Sequence, residues 1–274
     1  MKVDKVINNN IVSVLEDGKE IVVMGRGLGF RAKPGSEIPE PRIEKIFRLD
    51  SQTEVDQFKT LLSNLPLEHI QVSTEIINYA KEVLNKKLNQ NIYITLTDHI
   101  NFSIERFHKN MMFANPLLRE VRSFYREEYL IGEYAVALIK RKLHVDLPVD
   151  EAASVALHIV NAEYNTKMKD TIDITNLIQY VLELVKQRFH MSYDEQSLNY
   201  ERFITHLRFL SQRIYSNELL EQTNPEFITM ISTMYPEEFA LSEEIREYIN
   251  NTYHHDVTDE EAAYLAIHIK RVRG

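Results

Sequence analysis

The sequence predicts a multidomain α+β protein: a small all-β N-terminal domain of four antiparallel strands, followed by two tandem all-α helical-bundle modules. Two observations carry this prediction. Five of the seven glycines lie in the first 35 of 274 residues, and a helical motif that starts at Glu151 recurs at Glu261. A step in glycine content marks a domain boundary, here between residues 50 and 60. We therefore predict domains at residues 1–55, 60–170 and 171–274.

The N-terminal segment has the composition of a short antiparallel sheet. Ile11–Leu15 and Glu20–Met24 are rich in β-branched residues, and they flank Asp17-Gly18. Asp-Gly is a hairpin signal because both central positions of the turn need positive φ. Val3–Ile7 predicts an earlier strand, and Arg42–Leu49 predicts a fourth. So small a sheet buries little apolar area alone, and we expect dimerisation to stabilise it.

The remainder of the chain has helical periodicity. Apolar residues at i, i+3, i+4 and i+7 predict one buried helix face in each of two segments. These residues are Ile76, Ile77, Ala80, Val83, Leu84 and Leu88 in the first segment, and Ile174, Leu177, Ile178, Val181, Leu182 and Val185 in the second. Ser73 is the predicted N-cap of the first helix.

Composition excludes several classes of protein. The absence of cysteine rules out disulfide scaffolds, Cys-ligated metals and thiol chemistry, and it suits a reducing compartment. There is no apolar signal core and no apolar run of the ~18 residues that a membrane span needs, so we expect a soluble cytoplasmic protein. The net charge of −9 by itself argues against a nucleic-acid partner, but the charge is distributed unevenly along the chain. Residues 1–55 carry nine basic and nine acidic side chains, and residues 56–274 carry the whole excess.

Gly25-Arg26-Gly27-Leu28-Gly29-Phe30 superficially resembles a phosphate-binding loop. It is not GxGxxG, and neither a helix pattern nor GK[ST] follows, so we predict no nucleotide site. Two interpretations stay open from the residues alone. The segment is a glycine-bent strand or bulge, or it is a surface for single-stranded or bulged RNA. In the second case Arg26 would pair with phosphates or guanine edges, Phe30 would stack on a base, and Asn8–Asn10 would contact base edges.

The helical part contains an internal repeat. Glu151–Ile159 (EAASVALHI) recurs as Glu261–Ile269 (EAAYLAIHI) at an offset of 110, and an HxxFxxxR motif recurs at an offset of 107. Two tandem copies of one module follow from this repeat. Each copy holds two histidines in matching contexts: His99 and His158 in the first, His206 and His268 in the second. His144 and His254 also recur, each with an Asp two residues later, where turn and capping chemistry explains them.

The residues around the four repeated histidines limit the reactions in which these histidines can take part. Neither HExxH nor an HxxxH pair occurs around them, so we predict no metal site, and no nucleophile elbow supports a catalytic triad. Phosphoryl transfer remains, since a neutral imidazole nitrogen can accept a phosphoryl group. Arg106 and Arg213 lie two turns beyond His99 and His206 on the same helix face. Each would pair with an incoming phosphate, or would be an ordinary surface ion-pair partner.

The first 50 residues, MKVDKVINNNIVSVLEDGKEIVVMGRGLGF and then PRIEKIFRL, closely resemble the co-antiterminator RNA-binding domain of the BglG/LicT/SacY family of bacterial transcription antiterminators. The resemblance implies a dimerising four-stranded sheet. Its dimer would bind an RNA hairpin, the ribonucleic antiterminator, and prevent formation of an overlapping terminator. The matching positions that would contact RNA are Lys5, Asn10, Gly25, Arg26 and Phe30.

The repeat resembles the phosphotransferase-system regulation domain, or PRD, which stands in tandem behind that RNA-binding domain. This resemblance implies phosphorylation at His99, His158, His206 and His268. It further implies that a sugar-specific permease (EII) phosphorylates the first copy and inactivates the protein, whereas the phosphocarrier HPr phosphorylates the second copy and favours the active homodimer.

We therefore expect an antiterminator that is not an enzyme and needs no cofactor. The resemblance is nearest to β-glucoside regulators, although sucrose-type members share the motifs. Two alternatives stay open at this point. One is a histidine phosphocarrier. The other is a PRD-containing DNA-binding activator, which the absence of a helix-turn-helix or NTPase signature disfavours.

Overall fold

The computed structural model describes residues 1–111, 114–216, 218 and 224–274. Its residues form two compact units, 1–165 and 166–274. Within the described residues, the first unit holds a four-stranded antiparallel sheet and six α-helices, and the second holds five α-helices. The predicted fold class is confirmed. No helix among the described residues is long and apolar enough to cross a membrane.

The sheet has the strand order β1-β2-β3-β4, with every pair antiparallel. The strands are β1 (Val3–Asn8), β2 (Ile11–Glu16), β3 (Lys19–Met24) and β4 (Lys45–Phe47). Asp17 and Gly18 have φ values of 49° and 79°, which confirms the predicted hairpin turn. The fourth strand is shorter than predicted, because Glu40–Arg42 forms a 3-10 turn after Pro39 and only three residues pair with β3.

The two faces of the sheet pack against different partners. One face is covered by the segment after β3, which contributes Leu28 and Ile38 to a cluster with Val3, Val12, Val14, Ile21 and Val23. The other face packs on helices of the same unit. On that face the ring of Phe47 lies 4.9 Å from Phe58 and 5.1 Å from Tyr93, centroid to centroid and edge to face.

Helix α1 (Gln52–Asn64) connects the sheet to the first helical module. A capping box of Ser51 and Glu54 starts it, since each side chain accepts a hydrogen bond from the backbone N–H of the other. The helix then packs on the sheet, where Asn8 Nδ2 donates to Leu62 O at 2.9 Å and Lys59 Nζ pairs with Glu20 at 2.8 Å. The sheet and the first helices therefore form one compact unit.

The remaining helices form two successive modules with matching order. The first module contains α2 (Leu67–Leu84), α3 (Ile92–His108), α4 (Leu118–Phe124), α5 (Arg126–Leu143) and α6 (Asp150–Tyr164). The second contains α7 (Met168–Phe189), α8 (Leu198–Ser216), α9 (Pro225–Met234), α10 (Pro236–Tyr253) and α11 (Asp259–Arg273). The two sequence motifs of the repeat fall on α3 and α6 in one copy and on α8 and α11 in the other.

The predicted apolar face of α7 is confirmed, because all six of its residues are buried. The prediction for α2 is wrong in three details. The helix ends at Leu84, so the buried Leu88 lies beyond it. Ser73 is not an N-cap: the helix already begins at Leu67, after Pro66, and the buried Ser73 hydroxyl donates to His69 O at 2.8 Å. Val83 lies on the exposed side of the helix.

His144 and His254 end α5 and α10 in the left-handed conformation, with φ values of 57° and 58°. Their backbone N–H groups donate to Lys140 O and Asn250 O, which satisfies carbonyls of the last helical turn. Capping therefore explains this pair of repeated histidines.

Candidate functional sites

Four of the five predicted RNA-contacting residues lie together at one end of the sheet. There the turn between β1 and β2 meets the glycine segment that follows β3. Gly25 N donates to Asn10 O, and Gly27 N donates to the Asn10 side-chain oxygen, both at 2.9 Å. Arg26 is exposed, and 60% of Phe30 is accessible. The asparagine turn thus holds the glycine backbone and leaves a cation and an aromatic ring facing solvent.

Lys5 is placed differently. It is exposed on the edge strand β1, opposite Ser13 of β2, and no hydrogen bond among the described residues joins it to the glycine segment. Arg31 adds a second cation at the loop, because its guanidinium lies 5.3 Å from the centre of the Phe30 ring.

Two glycines of this loop are required by close backbone contacts. A Cβ atom on Gly25 would lie 1.9 Å from Arg42 O, and one on Gly29 would lie 1.9 Å from Asn8 O. Both carbonyls belong to the backbone, so no side-chain rotation would relieve the overlap. The glycine-bent backbone and the exposed Arg26 and Phe30 are therefore parts of one structure, and the two interpretations of the segment are compatible.

The first pair of repeated histidines comes together between α3 and α6. The ring centroids of His99 and His158 lie 4.7 Å apart, with 39° between their planes. His158 Nδ1 is buried and makes no hydrogen bond within the described part of the chain. Burial, and secondly the neighbouring His99, hold the pKa of His158 well below its usual range, so its imidazole is neutral at pH 7.

A buried carboxylate organises this pair. Glu151, in the first turn of α6, is 3% exposed. Its Oε2 lies 3.0 Å from His99 Nε2 and accepts from Ser103 Oγ at 2.9 Å, and its Oε1 accepts from Arg106 Nη2 at 2.7 Å. Burial alone would raise the pKa of Glu151, but the hydrogen bonds from His99 and Ser103 and the charge of Arg106 outweigh it and lower that pKa. Glu151 is therefore ionised.

The second pair lies between α8 and α11. The rings of His206 and His268 are stacked, with centroids 4.1 Å apart and 14° between the planes. His206 Nε2 is buried and makes no hydrogen bond to any residue that the structure describes. Burial, with smaller contributions from His268 and Arg213, lowers the pKa of His206 to about 3. The pKa of His268 is also lowered, by burial and by the charge of Arg271.

Glu261 is the counterpart of Glu151, but its hydrogen bonds differ. It is fully buried, and its two oxygens accept from Arg213 Nε and Nη2, both at 2.7 Å. No hydrogen bond among the described residues joins it to His206. Leu210 stands where the first copy has Ser103. The same positions therefore join histidine, serine and arginine to one carboxylate in the first copy and make a bidentate arginine–carboxylate pair in the second.

Comparison with known proteins identifies both parts of the chain. The family model of the CAT RNA binding domain matches residues 1–56, and that of the PRD domain matches residues 74–162 and 179–272. The chain is 46% identical to "Transcription antiterminator LicT" of Bacillus subtilis over 99% of both chains. The chain belongs to the BglG/LicT family of transcription antiterminators. It is also 39% identical to the "Beta-glucoside operon antiterminator" of Dickeya chrysanthemi, over 100% of this chain and 97% of that one.

A solved structure has the fold of the first part. It is the crystal structure of GlcT CAT-PRDI, with a TM-score of 0.54 and 35% identity, and the match covers 59% of this chain and 97% of that chain. The arrangement of a CAT sheet followed by one PRD is therefore shared with this relative. We use PRD1 and PRD2 below for the two matched helical modules.

Sequence reasoning missed Glu151, Glu261 and Ser103. The two glutamates were nevertheless visible, because each stands seven residues before the second histidine of its PRD and begins the repeated EAA motif. Arg106 and Arg213 had two interpretations, and in the structure each pairs with one of these buried carboxylates. The sequence contains no signal for Ser103, since PRD2 has leucine at that position.

The pKa of His206 predicts a pH-dependent stability of the second unit. Its folded-state pKa of about 3 lies below the ordinary value of 6.5, so the unfolded chain binds a proton first as the pH falls. Stability is fully present above pH 6.5 and is lost below it, by up to ~1.4 kcal/mol per pH unit. Calorimetry between pH 6.5 and pH 4.5 should show that the stability of His206→Gln changes less with pH than that of the unsubstituted protein. His190→Asn, a replacement at an exposed helix end, is the control and should keep the pH dependence of the unsubstituted protein. An equal pH dependence of stability in both variants would contradict the role given to His206.

Proposed function

We propose that this family member binds a ribonucleic antiterminator hairpin in the leader of a β-glucoside operon and thereby prevents formation of an overlapping terminator. The match to the CAT RNA binding domain supports an RNA target, and the two antiterminator relatives, one of them from a β-glucoside operon, support the regulatory role. In this proposal the protein is a cytoplasmic homodimer and a regulator, not an enzyme. The RNA-binding part spans residues 1–55, with PRD1 at 60–170 and PRD2 at 171–274.

We propose direct RNA contacts from Arg26, Phe30 and Lys5, whose side chains are exposed. Asn10 and Gly25 act mainly through the backbone, because they build the loop that approaches the RNA. Arg26 supplies a planar donor for phosphates or guanine edges, and Phe30 supplies a stacking surface for an unpaired base. Since the charges of residues 1–55 balance, shape and stacking contribute more than bulk attraction.

We further propose that His99 and His158 are phosphorylated by a sugar-specific PTS permease, and His206 and His268 by HPr. The lowered pKa values of His158, His206 and His268 support this assignment, because a neutral imidazole has the lone pair that attacks phosphorus. Each phosphoryl group adds nearly two negative charges beside a buried carboxylate and an arginine. Such a charge would alter both PRDs and, through them, the dimer.

Replacing Arg26 tests the RNA-binding surface. In fluorescence anisotropy with a labelled leader hairpin, the full chain phosphorylated by HPr is expected to bind, and Arg26→Ala is expected to bind at least ~10-fold more weakly, since a bidentate arginine contact contributes about 1–3 kcal/mol. Lys19→Ala serves as the matched control, because Lys19 is an exposed cation at the hairpin turn on the opposite end of β3. It should change the affinity less than twofold.

Two outcomes would contradict the proposal. One is equal binding by the Arg26 and Lys19 variants. The other is no detectable RNA binding by either the phosphorylated or the unphosphorylated chain. If the second outcome were accompanied by transfer of the phosphoryl group onward to another protein, the phosphocarrier alternative would be correct.

A further inference from the structure

We propose that Glu151 is a positioning residue that directs phosphorylation of His99 to Nδ1, so that PRD1 carries 1-phosphohistidine at this position. This inference rests on the proposed function, in which His99 accepts a phosphoryl group. It concerns which ring nitrogen reacts and which residue decides it. No corresponding constraint acts on His206 in PRD2.

The argument begins with the proton on His99. Glu151 is ionised, and an ionised carboxylate only accepts hydrogen bonds. Its contact with His99 Nε2, at 3.0 Å, therefore requires a proton on Nε2. In a neutral ring the lone pair is then on Nδ1, which makes no hydrogen bond to a described residue. The nucleophilic nitrogen of His99 is thus Nδ1.

Glu151 is itself held in place, which makes the constraint strong. Ser103 Oγ donates to the same oxygen that contacts His99, and Arg106 Nη2 donates to the other oxygen. Glu151 lies in the first turn of α6, where the helix dipole favours a negative charge. Both oxygens of the carboxylate are therefore held by donors, and rotation away from the ring would break these hydrogen bonds.

PRD2 provides the internal comparison. There Arg213 occupies both oxygens of Glu261, and Leu210 replaces the serine. Among the described residues, His206 Nε2 has no hydrogen-bond partner and no carboxylate selects the tautomer of His206. Replacement of Glu261 should therefore leave the preferred nitrogen of His206 unchanged.

Transfer of the phosphoryl group to His99 needs only an ordinary phosphoryl donor. The Nδ1 lone pair of His99 attacks phosphorus while the bond from phosphorus to the leaving group breaks, and the leaving group takes a proton from solvent. Nε2 keeps its proton and its hydrogen bond to Glu151 throughout. With phosphoramidate as donor, the bond broken is P–N and the product is ammonia.

The test uses the full chain with His158, His206 and His268 replaced by Gln, so that His99 is the one repeated histidine left. The signal of the same chain with His99→Gln, which holds only the six other histidines, is subtracted. After reaction with potassium phosphoramidate, isomer-specific antibodies and ³¹P NMR should detect 1-phosphohistidine. Adding Glu151→Ala should shift the ratio of 1- to 3-phosphohistidine at least tenfold toward the 3-isomer. In a matched chain, His206 is the one repeated histidine that is retained. Its ratio should be the same within twofold with and without the paired change Arg213→Met and Glu261→Leu, which removes the carboxylate without leaving an unpaired buried charge.

A second measurement needs no phosphorylation and no variant. Long-range ¹H–¹⁵N spectra of the unphosphorylated full chain should show His99 with its proton on Nε2. A proton on Nδ1, or 3-phosphohistidine on His99 with Glu151 intact, would overturn the inference. If Glu151→Ala fails to fold, the tautomer spectrum decides alone. Failure of HPr and the permease to phosphorylate His99 would count against the proposed function, whereas the tautomer and the phosphoramidate product test the role of Glu151.

Discussion

Gly25→Ala is expected to weaken binding of the RNA hairpin at least ~100-fold, equivalent to ~3 kcal/mol. The added methyl group would lie 1.9 Å from Arg42 O, and this overlap displaces the start of the glycine segment. The hydrogen bond from Gly25 N to Asn10 O would be lost with it. Fluorescence anisotropy gives the affinity, and thermal unfolding shows whether the sheet itself is weakened.

Gly35→Ala is the matched control. Gly35 has a positive φ of 87°, so alanine there costs about 1 kcal/mol of backbone strain. A Cβ atom on Gly35 would meet nothing within 4 Å, unlike one on Gly25. Affinity within about tenfold of the unsubstituted protein for Gly25→Ala would show that the loop does not need this close contact.

Glu261→Ala is expected to destabilise the second unit by about 3–5 kcal/mol, because it leaves the Arg213 charge with no carboxylate partner at a largely buried site. Differential scanning calorimetry of the full chain measures the effect as a lowered unfolding temperature. The cause is the unpaired charge, since Glu261 is fully buried and takes both hydrogen bonds from one guanidinium.

The double variant Arg213→Met with Glu261→Leu separates charge from packing. Replacing both partners by apolar residues removes the unpaired charge, and most of the lost stability should return. A double variant as unstable as Glu261→Ala would show that the ion pair does not account for the loss. A loss below about 1 kcal/mol for Glu261→Ala alone would contradict the prediction itself.

One side chain, that of Asn8, links the candidate RNA loop to helix α1. Asn8 donates from Nδ2 to Leu62 O of α1 and accepts from Asn10 N through Oδ1, at 2.9 Å and 2.8 Å. Asn10 in turn holds the backbone of Gly25 and Gly27. The loop geometry therefore depends on contacts that α1 makes with the sheet, as well as on the sheet itself.

Local signals in the sequence were sufficient for much of the fold. Asp17-Gly18 defined the hairpin because its turn depends on the φ preferences of two adjacent residues. The spacing of Ile174 through Val185 defined the buried face of α7 because helical periodicity is local. Ser73 was misjudged, since a serine before an apolar run resembles an N-cap whether or not the helix has already begun. The length of β4 was overestimated because the preceding 3-10 turn competes with strand pairing.

The sequence by itself was sufficient to identify the family, the tandem repeat and the four repeated histidines, because the short motifs that carry these features occur twice in the chain or match a known family. Only the tertiary structure decided what surrounds each histidine. Glu151 is 52 residues from His99 along the chain, and its contact exists because α3 and α6 pack together. In PRD2 both oxygens of the equivalent glutamate accept from Arg213, whereas one oxygen of Glu151 accepts from Arg106 and the other contacts His99 and Ser103. How nearby donors share the two oxygens of a buried carboxylate is settled by packing in three dimensions, and one substitution, Leu210 for Ser103, accompanies the difference.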